Sequence, residues 1–448
     1  MAVARATAPP REARYVHFKD ELHRVVVDVA DLSRIDRWSR DRLRTEVHDL
    51  GRKLAPQVDR QIPSAEVDRA VDEVVDEVFG LGPLEPLLAD PSVTEVLVNA
   101  PDQVYVERGG VLQRAENVAF ADKAHLVRVI QKIASRVGRR IDESSPMVDA
   151  RLSDGSRVNA VLPPLTLDSP VLSIRRFGEG FTADQFVRLQ SCTPEMIQFL
   201  ETAIAAKMNT LISGGTGAGK TTLLNVLSAF IPPGERLVTI EDAAELKLQQ
   251  PHVVRMETRT ANLEGAGSVS QRDLLRNALR MRPDRIILGE ARGPEAVDML
   301  QAMNTGHEGS LTTVHANDTR DALGRLELMI GLSGVDLATP VLRGYIANAF
   351  HLLVHVARLA GGNRKITRIS ELLGIRKGRI YRVRDIFVFE QTGVVNGHAV
   401  GSFKATGNMP HVLSRLAAMG RPLPESMFTA RDLAKIEAPP ASGGAAHA

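Results

Sequence analysis

The hydrophobic pattern changes its period twice along the 448-residue chain. From residue 21 to 88, apolar positions recur at helical spacing, which predicts two or three packed amphipathic helices. From 89 to 178, short alternating stretches surround glycine turns and one helical segment, which predicts an α+β domain with an antiparallel sheet. From 179 to 435, apolar strands alternate with helices. This order predicts an α/β domain whose mainly parallel sheet is covered on both faces.

The two ends of the chain have a different composition. Residues 1–20 are rich in Arg, Ala and Pro, and residues 436–448 are low in complexity, so both are predicted to be disordered tails. The whole chain has 25% charged and 44% hydrophobic residues and a formal net charge of only +2. This soluble composition gives no global sign of binding to nucleic acid or to an anionic membrane.

The sequence also carries signs of a cytoplasmic location. No apolar stretch has the length of a signal peptide or a membrane span. The single cysteine, Cys192, excludes an internal disulfide and fits a reducing compartment. We therefore expect a cytoplasmic protein whose contact with a membrane is indirect.

A glycine-rich motif follows an apolar strand and opens a helix in the third region. The stretch SGGTGAGKTT, Ser213 to Thr222, contains the pattern G-x-x-x-x-G-K-T of a phosphate-binding loop. Glycines let backbone N–H groups point at phosphate oxygens, and the start of the helix adds a favourable dipole. Lys220 would reach the β- and γ-phosphates of ATP, and the Thr221 hydroxyl would bind Mg²⁺. The predicted nucleotide-binding residues here are Gly214, Gly215, Thr216, Gly217, Ala218, Gly219, Lys220, Thr221 and Thr222.

Acidic residues follow two further strands. The strand in RIILGEARG delivers Glu290, but the place next to it, where many phosphate-handling enzymes carry an aspartate, is Gly289. The stretch TIEDAAEL supplies Glu241, Asp242 and Glu245 after another apolar strand. Because parallel strands end at the same edge of a sheet, we expect these carboxylates to converge on one metal and one γ-phosphate, with Glu290 as a predicted Mg²⁺ ligand. A solvated strand end is the alternative interpretation.

A histidine and an arginine pair complete the candidate site. His315 ends the strand in GSLTTVHAND, where a hydrogen bond to the terminal phosphate would link nucleotide state to loop position. A structural histidine, or a metal site shared with His307, is the alternative. Arg175 and Arg176 lie next to the linker after the second region, where guanidinium groups could stabilise the transferring phosphate. A solvated surface is the simpler interpretation of such arginines.

These motifs together resemble the secretion ATPase superfamily, the motors of type II and type IV secretion and of pilus assembly. The four boxes that carry the resemblance are GGTGAGKTT, IEDAAEL, ILGEARGPEA and GHEGSLTTVHAN. The stretches VDARLSDGSRVNAVLPPL, SIRRF, LLRNALRMRPDRIILGE and GSFKATGNMP are similar to its Flp/Tad pilus assembly branch, the CpaF- and TadA-like proteins. The similarity covers residues 85–430, and Ala243 stands where a proline is common in the acidic box.

The resemblance implies a RecA-like P-loop ATPase domain, preceded by an α+β, PAS-like domain and an amino-terminal helical module. It implies an ATP hydrolase that uses ATP and Mg²⁺, forms a homohexamer and contacts an inner-membrane platform protein. Hydrolysis would power assembly, with retraction as a further candidate, of a type IV or Tad pilus, or protein secretion across the inner membrane. The roles implied fall on Lys220, Thr221, Glu245, Glu290 and His315. Whether Glu245 or Glu290 is the base stays open.

Two other classes of function are alternatives. A nucleic-acid motor of the conjugative or helicase type would favour a basic stripe and stacking aromatic residues. Aromatic residues are only 4% of the chain, with one tryptophan, Trp38, so no nucleic acid is expected as a partner. A non-enzymatic GTP switch would carry an N-K-x-D motif, which the sequence lacks.

Overall fold

The chain folds as two compact units, Met1–Gly178 and Glu179–Ala448. Residues 1–10 and 439–448, at the two ends predicted as tails, lie outside the part of the chain that the structure describes. This computed structural model describes residues 11–29, 40–59, 61–116, 118–152, 154–176, 180–259, 266–334, 337–376 and 380–438.

The first unit begins with a helical module. Its described helices are α1 (Arg11–Val29), α2 (Arg40–Val58) and α3 (Ser64–Val78). Apolar residues recur every three or four positions, so each helix presents an apolar face to a common core. That core contains Tyr15, Phe18, Leu22, Val26, Val47, Ala55, Val67, Ala70, Val71, Val74 and Val75.

Helix α1 differs from the sequence prediction because it begins at Arg11, inside the segment predicted as a disordered tail. Its residues Tyr15, Phe18, Leu22 and Val26 are buried and have helical spacing. The Arg- and Ala-rich composition around them hides this short apolar stripe.

An antiparallel sheet follows in the same unit. The described strands have the order β3-β2-β1-β6-β5-β4, and all neighbours are antiparallel. A 3₁₀ turn (Gly82–Leu84) and the short helix α4 (Glu85–Ala89) lead into this sheet. The predicted α+β arrangement is confirmed. The strands are β1 (Val93–Ala100), β2 (Gln103–Arg108), β3 (Val111–Arg114), β4 (Met147–Arg151), β5 (Arg157–Val161) and β6 (Val171–Arg175).

Helix α5 (Lys123–Arg136) covers the sheet and also holds the end of α3. Lys132 Nζ donates to the carbonyl oxygens of Glu77 (3.2 Å) and Val78 (2.7 Å), and the Arg136 guanidinium donates to the carbonyl of Phe79. The last carbonyls of a helix lack intrahelical partners and carry the negative end of its dipole. These two cations therefore cap α3 and fix the helical module to the α+β domain.

The second unit is built on one mixed sheet. Its described strands have the order β16-β15-β14-β13-β12-β7-β11-β10-β8-β9. The half from β12 to β9 is parallel, and the half from β12 to β16 is an antiparallel meander. The strands are β7 (Thr210–Gly214), β8 (Leu237–Glu241), β9 (Val253–Glu257), β10 (Arg285–Leu288), β11 (Leu311–His315), β12 (Leu352–Arg358), β13 (Arg364–Arg376), β14 (Ile380–Val395), β15 (His398–Ala405) and β16 (Arg431–Ile436).

Helices cover both faces of the parallel half, as predicted. Ile287 packs into one apolar core with helices α7 and α8, whereas its neighbours Ile286 and Leu288 pack into a second core with α9 to α12. Side chains along a strand alternate between the two faces of the sheet, so each strand contributes residues to both cores. The described helices of this unit are α6 (Ala183–Arg188), α7 (Pro194–Ala205), α8 (Lys220–Ser228), α9 (Gln271–Ala278), α10 (Glu295–Asn304), α11 (Thr319–Leu332), α12 (Thr339–Ala349) and α13 (Val412–Ala418), with a 3₁₀ turn at Glu425–Phe428.

None of the helices in the described ranges is both long and apolar enough to cross a membrane.

Candidate functional site

The glycine-rich loop joins the buried strand β7 to helix α8. Gly217 and Gly219 have φ values of +67° and +98°, in the left-handed region that favours glycine. A Cβ on Gly214 would lie 2.4 Å from the Val356 carbonyl oxygen, so this close approach of two backbones requires glycine. Helix α8 begins at Lys220, directly after the loop, without a side-chain cap on Gly219. Its first N–H groups therefore lack side-chain caps and can bind an anion.

The residues of this loop differ in exposure. Gly214, Ala218 and Lys220 are buried, Gly219, Thr221 and Thr222 are half-buried, and Gly215, Thr216 and Gly217 are exposed. The exposed part of the loop is open to a ligand.

Three of the predicted site residues meet at the ends of adjacent parallel strands. Lys220 Nζ donates to the Gly215 carbonyl oxygen and to His315 Nε2, both at 3.2 Å. His315 Nε2 lies 3.0 Å from Glu290 Oε1. Nε2 thus faces both an ammonium donor and a carboxylate; when it accepts from Lys220, the ring is neutral and carries its proton on Nδ1. Burial and the Lys220 charge both lower the pKa of His315, which favours that neutral form.

Glu290 Oε1 is left without a hydrogen bond. The oxygen is buried, and the described residues supply no donor to it in hydrogen-bond geometry. A buried carboxylate oxygen without a donor is costly in an apoprotein and is suited to a cation or a cation-bound water.

The structure adds Arg292, a residue that the sequence analysis missed. Its Nη2 donates to Glu290 Oε2 at 2.8 Å, and its Nη1 donates to Asp242 Oδ2 at 2.9 Å. One guanidinium thus joins the two acidic strand ends. Burial lowers the pKa of Arg292, but the hydrogen bond and charge of Glu290 and the charges of Asp242 and Glu245 outweigh it and raise the pKa. The half-buried Glu245 is therefore in electrostatic reach of this bridge.

Glu241 has a different role from its acidic neighbours. It ends strand β8 and is 3% exposed, and its Oε2 accepts from the backbone N–H groups of Glu245 (2.6 Å) and Leu246 (2.9 Å). Burial raises the pKa of this carboxyl to about 7. Glu241 therefore shapes the turn that carries Glu245 and is not itself presented to solvent.

The same side chain explains the glycine before Glu290. A Cβ on Gly289 would lie 3.0 Å from Glu241 Cγ. The space that an aspartate side chain would take next to the strand end is filled by the glutamate of the neighbouring strand.

The two arginines predicted for the site lie in the first unit. Arg176 Nη1 donates to the carbonyl oxygens of Asp90 and Val93, the latter at 3.1 Å. This guanidinium therefore stabilises the start of β1 in its own domain. Arg175 ends β6 with a 59% exposed side chain whose Nε lies 3.9 Å from Glu95 Oε1. Of the pair, Arg175 is the one presented to solvent.

Glu290 and Thr221 are suited to bind Mg²⁺ that arrives together with a nucleotide. Within the described residues, no group of three or more His, Cys, Asp or Glu side chains is arranged to hold a metal ion. Mg²⁺ is commonly held by one or two protein ligands together with phosphates and waters. Glu290 Oε1, buried without a donor, and the Thr221 hydroxyl at the start of α8 suit that mode of binding.

Comparison with known proteins gives consistent matches. The family model described as "Type II/IV secretion system protein" matches residues 77–368. A Mycobacterium tuberculosis protein named "Putative conjugal transfer protein" is 42% identical over 315 residues, which cover 68% of this chain and 88% of that protein. The type IV secretion system protein VirB11 of Bartonella quintana is 31% identical over 328 residues, covering 64% and 91%.

Solved structures are also similar to this chain. The VirB11 ATPase from the Brucella suis type IV secretion system, in complex with sulphate, has 31% identity and a TM-score of 0.35, covering 66% of this chain and 97% of that one. The pilus retraction motor PilT with bound ADP has 21% identity and a TM-score of 0.46, covering 65% and 79%.

Proposed function

The chain belongs to the type II/IV secretion system protein family and is an ATP hydrolase of that family, and on this premise we propose that it is a motor for a Flp/Tad-type pilus. Hydrolysis would power pilus assembly, or protein secretion by the same machinery. One observation carries the ATP-hydrolysing part of the proposal: His315 Nε2, at the end of β11, lies 3.2 Å from Lys220 Nζ of the glycine-rich loop and 3.0 Å from Glu290 Oε1 after β10. This is where a γ-phosphate, its metal and an attacking water would be held.

Each side chain then has a physical task. Lys220 binds the β- and γ-phosphates, in exchange for its contacts with Gly215 and His315. His315, neutral with a proton on Nδ1, would reorient when the lysine turns to the phosphate, and so report the occupied state. Glu290 and Thr221 would hold Mg²⁺, which neutralises charge on the β- and γ-phosphates.

Glu245 is our candidate for orienting the attacking water. Glu241 fixes the turn on which it lies through two backbone N–H groups. An orienting base has to be placed within hydrogen-bond reach of the water, and a rigid turn supplies that precision.

The remaining features of the motor are also proposals. We propose a homohexamer at the cytoplasmic face of the inner membrane that acts on a platform protein there. Arg175, rather than Arg176, would supply an arginine to the transferring phosphate, within one subunit or between subunits. The helical module, the α+β domain and the α/β domain would be the moving parts.

The stretches that resemble the Flp/Tad branch support a role in pilus assembly over a role in other secretion systems. The similarity to a protein named as a putative conjugal transfer protein favours one other candidate, a nucleic-acid motor of the conjugative type. Stimulation of ATP hydrolysis by DNA would favour that candidate, and stimulation by the cytoplasmic part of the platform protein would favour the pilus motor.

Lys220→Ala tests the nucleotide site. We expect the purified wild-type protein to hydrolyse ATP and the variant to lose both ATP binding and hydrolysis, with Lys247→Ala as a control in an exposed position. The mass of the protein in solution, with and without nucleotide, tests the hexamer. Turnover that persists in Lys220→Ala would contradict the assignment of the site.

A further inference from the structure

The hairpin between β12 and β13 brings two arginines against the phosphate-binding loop. Arg364 Nε donates to the Gly217 carbonyl oxygen at 3.0 Å. A Cβ on Gly219 would lie 3.2 Å from Arg364 Cδ, and one on Gly217 would lie 3.9 Å from Arg358 Nη1. Both side chains therefore lie along the same two glycines, although more than a hundred residues separate them from the loop in sequence.

The hairpin is held rigidly to the strand that carries the loop. Strand β12 pairs in parallel with β7, and His355 is the register partner of Ser213. The Ser213 hydroxyl also lies 2.9 Å from His355 Nδ1, in the buried interior of the sheet. The backbone of β12 is therefore fixed next to the strand that leads into the loop, and the hydrogen bond from Arg364 to Gly217 holds that guanidinium against the loop before any ligand binds.

The charges of this arrangement favour an anion. Arg358 and Arg364 are direct cross-strand partners, and like charges placed opposite each other destabilise a strand pair. Lys220 adds a third cation from the same loop. A polyphosphate lying over the loop would be attracted by all three groups. A guanidinium carries five N–H donors, so one can hold a carbonyl and still bind a phosphate oxygen.

We propose that Arg358 and Arg364 bind the phosphate chain of the nucleotide from within the same subunit, and that Arg364 also fixes the loop through Gly217. This inference rests on the proposed function, since it needs a nucleoside di- or triphosphate at the loop. The two hairpin arginines would then contribute to the affinity for the nucleotide, whereas Arg175 would contribute to hydrolysis alone.

Single substitutions in the hairpin test the inference. In Arg358→Ala and Arg364→Ala, the Kd for ATP and for ADP should rise about tenfold or more, as expected for loss of a charge-assisted hydrogen bond. Each variant should also show a weaker dependence of Kd on salt, because one cation has left the site. Arg376→Ala, an exposed arginine at the other end of β13, is the matched control and should bind as wild type does.

Lysine variants separate charge from loop shape. Arg358→Lys and Arg364→Lys should keep the wild-type salt dependence and lose only part of the affinity, since lysine retains the charge but not the guanidinium fork. Thermal unfolding of every variant checks that the fold is intact. An unchanged Kd in both alanine variants would overturn the inference. So would a loss of affinity with an unchanged salt dependence, which would reduce the pair to a structural support. If wild type bound ATP but did not hydrolyse it, the proposed function would fail and the pair could still stand.

Discussion

Replacing Gly289 by alanine is the most informative small change near the site. The backbone of Gly289 is not in the left-handed region, so the effect of a methyl group there is steric. The new Cβ would meet Glu241 Cγ at 3.0 Å and the Ile240 carbonyl oxygen at 3.5 Å. The Glu241 side chain has to move by a few tenths of an ångström, and it is the side chain that holds the backbone of Glu245 and Leu246.

The magnitude follows from the packing. Forcing a methyl group into a filled site costs about 1–3 kcal/mol of unfolding free energy. Because the turn bearing Glu245 shifts with Glu241, we also expect about a tenfold loss in the rate of ATP hydrolysis, less than the roughly hundredfold loss for a misplacement of 1 Å. The affinity for ATP should change little, since Lys220 and the glycine-rich loop are not displaced.

Urea unfolding and single-turnover hydrolysis measure the two effects separately. Gly324→Ala is the matched control, because Gly324 lies on the exposed face of α11 with no atom within 4 Å of its Cβ position. That variant should gain about 0.5–1 kcal/mol, the usual helix preference of alanine over glycine. A Gly289→Ala protein with wild-type stability and a wild-type rate of ATP hydrolysis would refute the inference that Gly289 makes room for Glu241 and that Glu241 positions the turn bearing Glu245.

Two further predictions concern titration and docking. Burial raises the pKa of Glu241 from 4.5 to about 7. The contribution of this carboxyl to the free energy of unfolding is therefore complete below pH 4.5 and is lost as the pH rises through 7. Glu241→Gln should remove this loss from the pH dependence of urea unfolding without nucleotide, and a variant with the wild-type pH profile would contradict the prediction. Lys132→Met should leave the carbonyls of Glu77 and Val78 at the end of α3 without their lysine donor, which should lower the free energy of unfolding by about 1–2 kcal/mol. Amide hydrogen exchange at the end of α3 should become faster. Arg128→Met, at an exposed position of α5, is the control and should change neither quantity.

The sequence predicted the parts of this protein that local patterns determine. The glycine-rich loop, the strands that end in Glu241, Glu290 and His315, and the covered parallel sheet follow from spacing and order along the chain. That Lys220, His315 and Glu290 lie close together follows from the common direction of parallel strands.

The features that escaped prediction depend on contacts between distant segments. Arg292 could have been suspected from its place in GEARG, but its bridge to Asp242 exists only once β8 and β10 are neighbours. The reason for Gly289 and the approach of Arg364 to Gly217 likewise depend on strand pairing, which periodicity does not report.

The central claim is that ATP bound at the glycine-rich loop is hydrolysed with the help of the carboxylate at the end of β10. Single-turnover hydrolysis by Glu290→Gln tests it most directly, because the amide keeps the shape of the side chain and removes its charge. We predict that this variant binds ATP with Mg²⁺ about as tightly as wild type and hydrolyses it about a hundredfold more slowly or worse. Hydrolysis at the wild-type rate would contradict the claim.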